Sequence, residues 1–146
     1  MPAVTLPVLQ HSIAVEVGHV YAGHDAVLAM PVVSGLTREP IDLNGYSLVW
    51  TLRQRSRDGD TILIEKSTVS GGIALGTSDA GTAAGVSNDL VLVTIDAEDT
   101  WDENAGEYIV SPGDYVHGLW RMNDGFRKPI VEAPFVLTRG AGGRPV

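Results

Sequence analysis

Apolar and polar residues alternate with a period of two along most of this chain. The alternation is clearest in residues 41–53, IDLNGYSLVWTLR, where an Asn-Gly turn precedes apolar residues at every second position: Tyr46, Leu48, Trp50 and Leu52. The intervening Thr51 and Arg53 are polar. Because side chains on a strand alternate between its two faces, this segment predicts a core strand with Trp50 buried and the opposite face more exposed to solvent.

The same pattern predicts further short strands, separated by Gly, Pro, Asn and Asp. They lie at residues 12–20, 26–33, 61–68, 73–75, 89–95, 106–110, 115–122 and 128–138. Asp58-Gly59 and residues 123–125 predict hairpin turns. One helical turn is expected at residues 96–101, where acidic residues stand in capping positions and Trp101 would point back at the strands.

Three of these segments carry more specific expectations. Strand 26–33, AVLAMPVV, has alternate residues expected to point inward: Leu28, Met30 and Val32. Pro31 cannot donate to a ladder, so it requires an edge strand or a nitrogen that faces away from a neighbour. Residues 89–95, DLVLVTI, are apolar at nearly every position and predict a central strand covered on both faces or nearly so. The two prolines of 128–138 predict an exposed edge.

The rest of the chain separates into an arm, a loop and a tail around one domain, residues 12–138. Residues 1–11 contain two prolines and predict an extended arm. Residues 77–88, TSDAGTAAGVSN, are small, polar and glycine-rich, and predict a mobile loop. Residues 139–146 predict a flexible or partner-bound tail. The predicted fold is an all-β single sandwich of about seven to nine antiparallel strands with at most one short helical turn.

Composition excludes several classes of function. The chain of 146 residues has no cysteine, which removes disulfides, thiolate catalysis and zinc-thiolate sites. Its net charge of −8 argues against a nucleic-acid-binding surface. The nearest approach to a basic cluster, Arg53, Arg55 and Arg57, indicates a solvated strand edge rather than a phosphate track. No apolar run is long enough to span a membrane, and residues 1–10 lack the features of a signal peptide, so synthesis in the cytosol is expected.

No group of residues specifies a reaction, a cofactor or a metal. His19, His24 and His117 have none of the short fixed spacings of metal ligands. The acidic run 96–103 lacks the loop pattern of a calcium-binding EF-hand. No Gly-x-Ser-x-Gly elbow is present, and the glycines of 77–88 are not followed by the Lys-Ser/Thr of a phosphate cradle. A carbohydrate-binding sandwich remains an alternative, if exposed aromatic residues form a row: Trp101, Tyr115 and Trp120.

Five segments of the chain carry a family likeness. They are residues 23–25 (GHD), 42–45 (DLNG), 96–101 (DAEDTW), 106–108 (GEY) and 135–137 (FVL). In this order they resemble the immunoglobulin-like β-sandwich domain of tailed-phage virion proteins, of which the N-terminal domain of phage baseplate upper proteins is an example. In that family a Gly-Asp start precedes the second strand, Asp-Leu-x-Gly leads into the long strand, and a helical turn is followed by Gly-x-Tyr and a closing hairpin.

The resemblance implies a non-enzymatic structural or adaptor subunit of a phage or phage-like particle, in a tail, baseplate or fibre attachment. The implied partners are other virion proteins and further copies of the chain, without nucleic acid, membrane or cofactor, and the implied location is the virion after synthesis in the host cytoplasm. Contacts would run through β surfaces and the termini. The partner-binding candidates are Pro2, Pro7, Trp101, Tyr115, Trp120, Phe126, Arg139 and Arg144.

Overall fold

The computed structural model describes residues 9–11, 20–54, 61–123 and 126–139. Their backbone forms eleven strands and two short helices. The strands are β1 (Leu9–His11), β2 (Val20–Tyr21), β3 (Ala26–Ser34), β4 (Ser47–Gln54), β5 (Ile62–Ser67), β6 (Ile73–Gly76), β7 (Leu90–Ile95), β8 (Trp101–Asp102), β9 (Glu107–Tyr108), β10 (Gly113–Asn123) and β11 (Phe126–Thr138). The helices are α1 (Asp79–Ala84) and α2 (Ala97–Thr100). The all-β prediction is confirmed. The strand count exceeds the predicted one because β1 and β8, of three and two residues, form where an arm and a helical turn were predicted.

The strands form two large sheets and one small hairpin. One sheet has the order β1-β3-β7-β6, the other has the order β2-β11-β10-β4-β5, and β8 pairs with β9. All pairings between the described strands are antiparallel except that of β2 with β11, in which Val20 stands opposite Leu137. This parallel pair corrects the expectation that all strands are antiparallel.

Strand β4 is a core strand, as its alternation predicts. Leu48, Trp50 and Leu52 are fully buried, and β4 pairs with β10 on one side and with β5 on the other. The opposite face of β4 is less exposed to solvent than predicted, because Thr51 is only 1% exposed. Thr51 lies opposite Gly118 of β10. The alternation assigned the faces correctly but could not show what covers the polar one.

One cluster of buried side chains draws on both large sheets. The four-stranded sheet contributes Leu28, Met30, Val32, Ile73, Val91, Val93 and Ile95, and the five-stranded sheet contributes Leu48, Trp50, Leu52, Ile64, Leu119, Ile130, Phe135 and Leu137. Burying this much aliphatic and aromatic surface provides the main stabilising free energy for a chain without crosslinks. The two sheets therefore share a single core.

Strands β3 and β7 confirm part of what their sequences predict. The inward residues of β3 are those expected, and β7 is central, between β3 and β6. Pro31 does not mark an edge, since β3 pairs on both sides. Val32 N–H donates to the Asp89 carbonyl (2.9 Å) on the β7 side, and successive amides alternate in direction, so the Pro31 nitrogen faces away from β7. The outward face of β7 is not covered as predicted, because Thr94 is exposed.

Strands β10 and β11 form the longest hairpin, in which Asn123 pairs with Phe126. The pairing shifts between Leu119 and Trp120, which leaves Ile130 as an extra, buried residue on β11. Among the described residues, β2 covers the outer side of β11 only at Leu137 and Thr138. Over the rest of β11, including both of its prolines, no second described strand is hydrogen-bonded to it, in line with the predicted edge.

The predicted loop 77–88 contains helix α1, and this is a correction. Ser78 is its N-cap and accepts from Gly81 N–H (2.9 Å), while Gly85 closes it in the left-handed conformation, with φ 73°. Helix α2 forms at the predicted position, so the described residues contain two helices rather than at most one. The predicted strand 12–20 lies outside the described residues except for Val20, as do most of the arm and the tail.

Candidate interaction surfaces

The outward side of the four-stranded sheet carries no charged side chain on β3, β6 or β7. We call this surface the uncharged face. Its members are Val27, Ala29, Pro31 and Val33 on β3, Ala74 and Gly76 on β6, and Leu90, Leu92 and Thr94 on β7. Val27 is 60% exposed, and Leu90 and Leu92 are half-buried. In a chain of net charge −8, an uncharged and partly exposed surface of this kind is a candidate for contact with another protein.

The strand register gives the uncharged face its relief. Two cross-strand rows run across it: Ala29–Leu92–Ala74 and Pro31–Leu90–Gly76. In each row a leucine of β7 stands between smaller residues. A Cβ built on Gly76 would lie 3.4 Å from Leu92 Cδ1 and 3.6 Å from Leu90 Cδ2, so both leucines lean over β6. The two leucines therefore form a ridge beside the small residues of β6.

The outward side of the five-stranded sheet differs in chemistry, and we call it the tryptophan face. Trp120 is half-buried there and packs on Gly118, where a Cβ would lie 3.0 Å from the indole Nε1. Arg53 of β4 and Glu132 of β11 form an ion pair that reaches across β10. This face therefore presents the half-buried ring of Trp120 and the Arg53–Glu132 ion pair to a partner.

Trp101 lies at a separate corner of the molecule, on the β8–β9 hairpin. Its ring meets Tyr108 edge to face at 5.2 Å between centroids, and its Nε1 donates to Glu103 Oε1 (3.1 Å). Thr100 ties this corner to the rest of the chain, because its Oγ1 accepts from Gly23 N–H (2.7 Å). Both contacts of Trp101 fix its orientation from within the chain.

Tyr115 and His117 belong to the interior side of β10. Tyr115 packs against the core, and its hydroxyl donates to the Ser111 carbonyl. Burial raises the pKa of Tyr115 above its ordinary value. His117 is fully buried, and its Nδ1 accepts from Trp50 Nε1 (2.9 Å). An Nδ1 that accepts leaves the ring proton on Nε2, so this geometry requires neutral His117. Sequence reasoning gave His117 only a weak metal hypothesis and missed this bond.

The aromatic residues proposed for a carbohydrate platform do not share a surface. Tyr115 and Trp120 are five residues apart on a strand that pairs regularly with β4 from Tyr115 to Met122, so they point to opposite faces. Trp101 is on the other hairpin. The three rings therefore form no single row.

The remaining partner-binding candidates divide between described and undescribed parts of the chain. Arg139 is exposed at the end of β11. Phe126 begins β11, and only its backbone is described. Pro2, Pro7 and Arg144 lie outside the described residues.

The acidic run has a role within the fold, and the two described histidine side chains lie far apart in burial. Lys66 Nζ lies 2.8 Å from Asp99 Oδ2, which also accepts from Asp96 N–H (2.7 Å). Asp102 Oδ1 accepts from Asn104 N–H and Ala105 N–H. His24 is exposed, whereas His117 is in the core. Within the described ranges no group of three or more acidic or histidine side chains could hold a metal ion.

Comparison with known proteins gives no family assignment: no family model and no curated protein matches the chain. Among the described residues, no helix has the length and apolar character needed to cross a bilayer. Functional inference therefore rests on the surfaces described above and on the expectations drawn from the sequence.

Proposed function

We propose that this chain is an immunoglobulin-like β-sandwich that works as a non-enzymatic structural or adaptor subunit of a phage or phage-like particle, through protein–protein contacts of its sheet faces and termini. The proposed location is the virion, and the proposed partners are other virion proteins and copies of the chain itself. The phage context is supported by the five sequence segments described above. The fold and the mode of action are supported by separate structural observations.

The strand order supports the immunoglobulin-like fold. Such domains have a sheet of strands A, B, E and D against a sheet of G, F and C, which can be extended by C′. If β3 is taken as strand B, the chain order β3, β4, β5, β6, β7, β10 and β11 corresponds to B, C, C′, D, E, F and G. The sheet orders β1-β3-β7-β6 and β2-β11-β10-β4-β5 then correspond to A-B-E-D and A′-G-F-C-C′.

Two side-chain features support the same fold. Immunoglobulin domains bury a tryptophan on strand C, and many carry a tyrosine near the start of strand F whose hydroxyl bonds to the backbone just upstream. Trp50 on β4 and Tyr115 on β10 have these positions and contacts. His117, two residues after Tyr115, has the position of the second cysteine of antibody domains. Its bond to Trp50 joins β10 to β4 in a chain that has no cysteine.

The uncharged face is the observation that carries the proposed mode of action. An exposed sheet surface without charge is suited to burial against another protein, because burial there desolvates no ionic group. The described polar clusters are engaged inside the fold: Asp96 and Asp99 cap α2 and bind Lys66, and His117 binds Trp50. Structural contact is therefore the function that the geometry supports best.

Mass spectrometry of particles tests the proposal directly. Particles from cells that produce the encoding phage or phage-like element would be purified on a density gradient and washed in 1 M NaCl, which screens charge contacts strongly. We expect the chain to remain with the particles at a constant ratio to a major structural protein, since an uncharged contact is insensitive to screening. Its recovery only in the soluble fraction would overturn the proposal.

A glycan array tests the carbohydrate-binding alternative with the same purified protein. Sugar binding would be lost in a Trp120→Ala variant, because Trp120 offers the larger ring on an outward sheet face. We expect no binding with either protein, since the three candidate rings are on separate surfaces. Specific binding that Trp120→Ala abolishes would favour the alternative.

A further inference from the structure

We propose that Arg121 is an oxyanion-binding site, which receives a carboxylate or phosphate group from outside the chain. The proposal is independent of the structural role proposed above and adds a binding function to it. Three observations carry it: the burial of Arg121, the lack of a described carboxylate beside it, and the accessibility of its two terminal nitrogens.

Arg121 lies near the end of β10, on the side of the strand that faces the core. It follows the buried Leu119 by two residues and stands opposite Leu48 of β4, and only 4% of it is exposed. Its guanidinium lies over the Tyr46 ring, with Cζ 4.9 Å from the ring centroid. Burial and this contact already fix the side chain, so little side-chain freedom is lost when an anion binds.

The charge of Arg121 is not balanced by a described residue. No ion pair joins it to an acidic side chain within the described ranges, whereas the more exposed Arg53 is paired with Glu132. A guanidinium removed from water is strongly unfavourable unless an anion or hydrogen bonds compensate the lost solvation. The cation–π contact with Tyr46 compensates only part of this cost. A bound anion would provide the remainder.

The terminal nitrogens of Arg121 are the part of the side chain that a ligand can reach. Nε is buried and has no hydrogen-bond partner. Nη1 and Nη2 also lack a partner among the described residues, but they are not fully buried, so the exposed fraction of the guanidinium lies there. The N–H groups of a guanidinium match the oxygens of a carboxylate or phosphate in charge and geometry. The exposed nitrogens therefore select an oxyanion over a neutral or cationic ligand.

The competing occupant is a carboxylate of the chain itself, from a segment outside the described residues. Asp124 is the nearest such residue in sequence, and Glu16 is another. If one of them occupied the site, an added anion would bind only after that residue was neutralised. This difference separates an external ligand from an internal ion pair.

A nuclear magnetic resonance titration with inorganic phosphate tests the site. Spectra of ¹⁵N-labelled protein would be recorded while phosphate replaces chloride at constant ionic strength, so that general screening stays the same. We expect the Arg121 Nε–H signal and the amide signals of Tyr46 and Leu48 to shift, with a dissociation constant on the order of 1 mM. Arg121→Lys keeps the charge but loses the planar fork, so it should weaken binding by about tenfold or more.

Arg53→Lys is the matched control, because Arg53 lies on the neighbouring strand and is already paired with Glu132. This variant should change phosphate affinity by less than about threefold. Melting curves provide a second readout: phosphate should raise the Tm of the wild type and of Arg53→Lys more than that of Arg121→Lys. Equal losses of affinity in the two variants would overturn the proposal. So would a wild type whose Arg121 signal does not respond, even if Arg121→Lys failed to fold.

A parallel titration with glutarate identifies the source of the anion. Glutarate carries the carboxylate of an acidic side chain, so binding at least as tight as that of phosphate would assign the site to an acidic residue of a partner protein. Binding of phosphate alone would assign it to a phosphate group. A wild type that binds neither anion, together with an Asp124→Asn or Glu16→Gln variant that binds phosphate at Arg121, would show that the chain fills the site itself. That result would overturn the external ligand.

Discussion

Gly81 provides the sharpest test of the packing described here. Helix propensity predicts that Gly81→Ala raises the free energy of unfolding, whereas the tertiary contacts of Gly81 predict that it lowers it. Gly81 is buried within α1, its N–H donates to Ser78 Oγ (2.9 Å), and its carbonyl accepts from Val86 N–H (2.8 Å). A Cβ at this position would lie 2.5 Å from Asp89 Oδ1 and 2.7 Å from the Val86 carbonyl oxygen. Asp89 is itself only 1% exposed and accepts from the Ser78 N–H (2.8 Å). Neither neighbour can move away without breaking these bonds.

The two contributions differ enough in size to predict the outcome of Gly81→Ala. Helix propensity alone would stabilise the chain by up to about 1 kcal/mol. Overpacking a tight site costs about 1–3 kcal/mol, and contact with a held carboxylate and a backbone carbonyl belongs at the upper end. We therefore expect a net loss of about 1–2 kcal/mol in the free energy of unfolding, with a fall in Tm of roughly 3–5 °C per kcal/mol.

Urea unfolding followed by circular dichroism measures this loss, and Thr82→Ala is the matched control. Thr82 is exposed on the same helix, so its replacement gains propensity without a clash and should stabilise the chain by up to about 0.5 kcal/mol. If Gly81→Ala were as stable as the wild type or more stable, the close packing of α1 against Asp89 would be refuted.

Three further predictions concern the core and the fold edges. Trp50→Phe should cost about 2 kcal/mol and show a coupling of about 1 kcal/mol with His117→Leu in a urea double-mutant cycle, since either change removes the same hydrogen bond; additive effects would contradict that bond. Burial raises the pKa of Tyr115 above 10.0, so the unfolded chain loses this proton first and stability falls as the pH rises above about 10. Tyr115→Phe should make this fall shallower in urea unfolding at alkaline pH, and an unchanged slope would count against it. Lys66→Met retains the apolar stem but removes the cation beside two aspartates of the α2 N-terminus; we expect a loss of about 1 kcal/mol that shrinks in high salt, and a salt-independent loss would argue against an ionic cause.

The parts of the fold that the sequence predicts are those that local patterns decide. The inward residues of β3 and β4, the hairpin between β10 and β11, and helix α2 follow from a period of two, from turn residues and from capping residues. Helix α1 was missed because its composition suits a loop. Its capping residues, Ser78 and Gly85, were a signal in the sequence that could have revealed the helix. The hydrogen bond from the Ser78 N–H to the buried Asp89 is a tertiary contact that the sequence does not show.

The uncharged face could be predicted only in part. The sequence of β7 is apolar at nearly every position, and this led to the expectation of cover on both faces, whereas Thr94 on its outward face is exposed. The apolar character was therefore visible, but the leucine ridge depends on which residues stand side by side. The row Ala29–Leu92–Ala74 joins residues from three strands, and its register is set by the whole sheet. The burial of His117 likewise depends on where β10 pairs with β4.

The parallel pair of β2 and β11 determines how the molecule would respond to mechanical tension. Force that pulls the segment before Val20 against the segment after Thr138 acts along these two strands in opposite directions. The bonds between them, including Ala22 N–H to the Thr138 carbonyl (2.9 Å), are then sheared together. A hairpin pulled apart at its open end instead loses its bonds one at a time. Single-molecule pulling through the two ends should therefore require a higher rupture force than pulling β10 from β11, and equal forces would show that β2 does not carry the load.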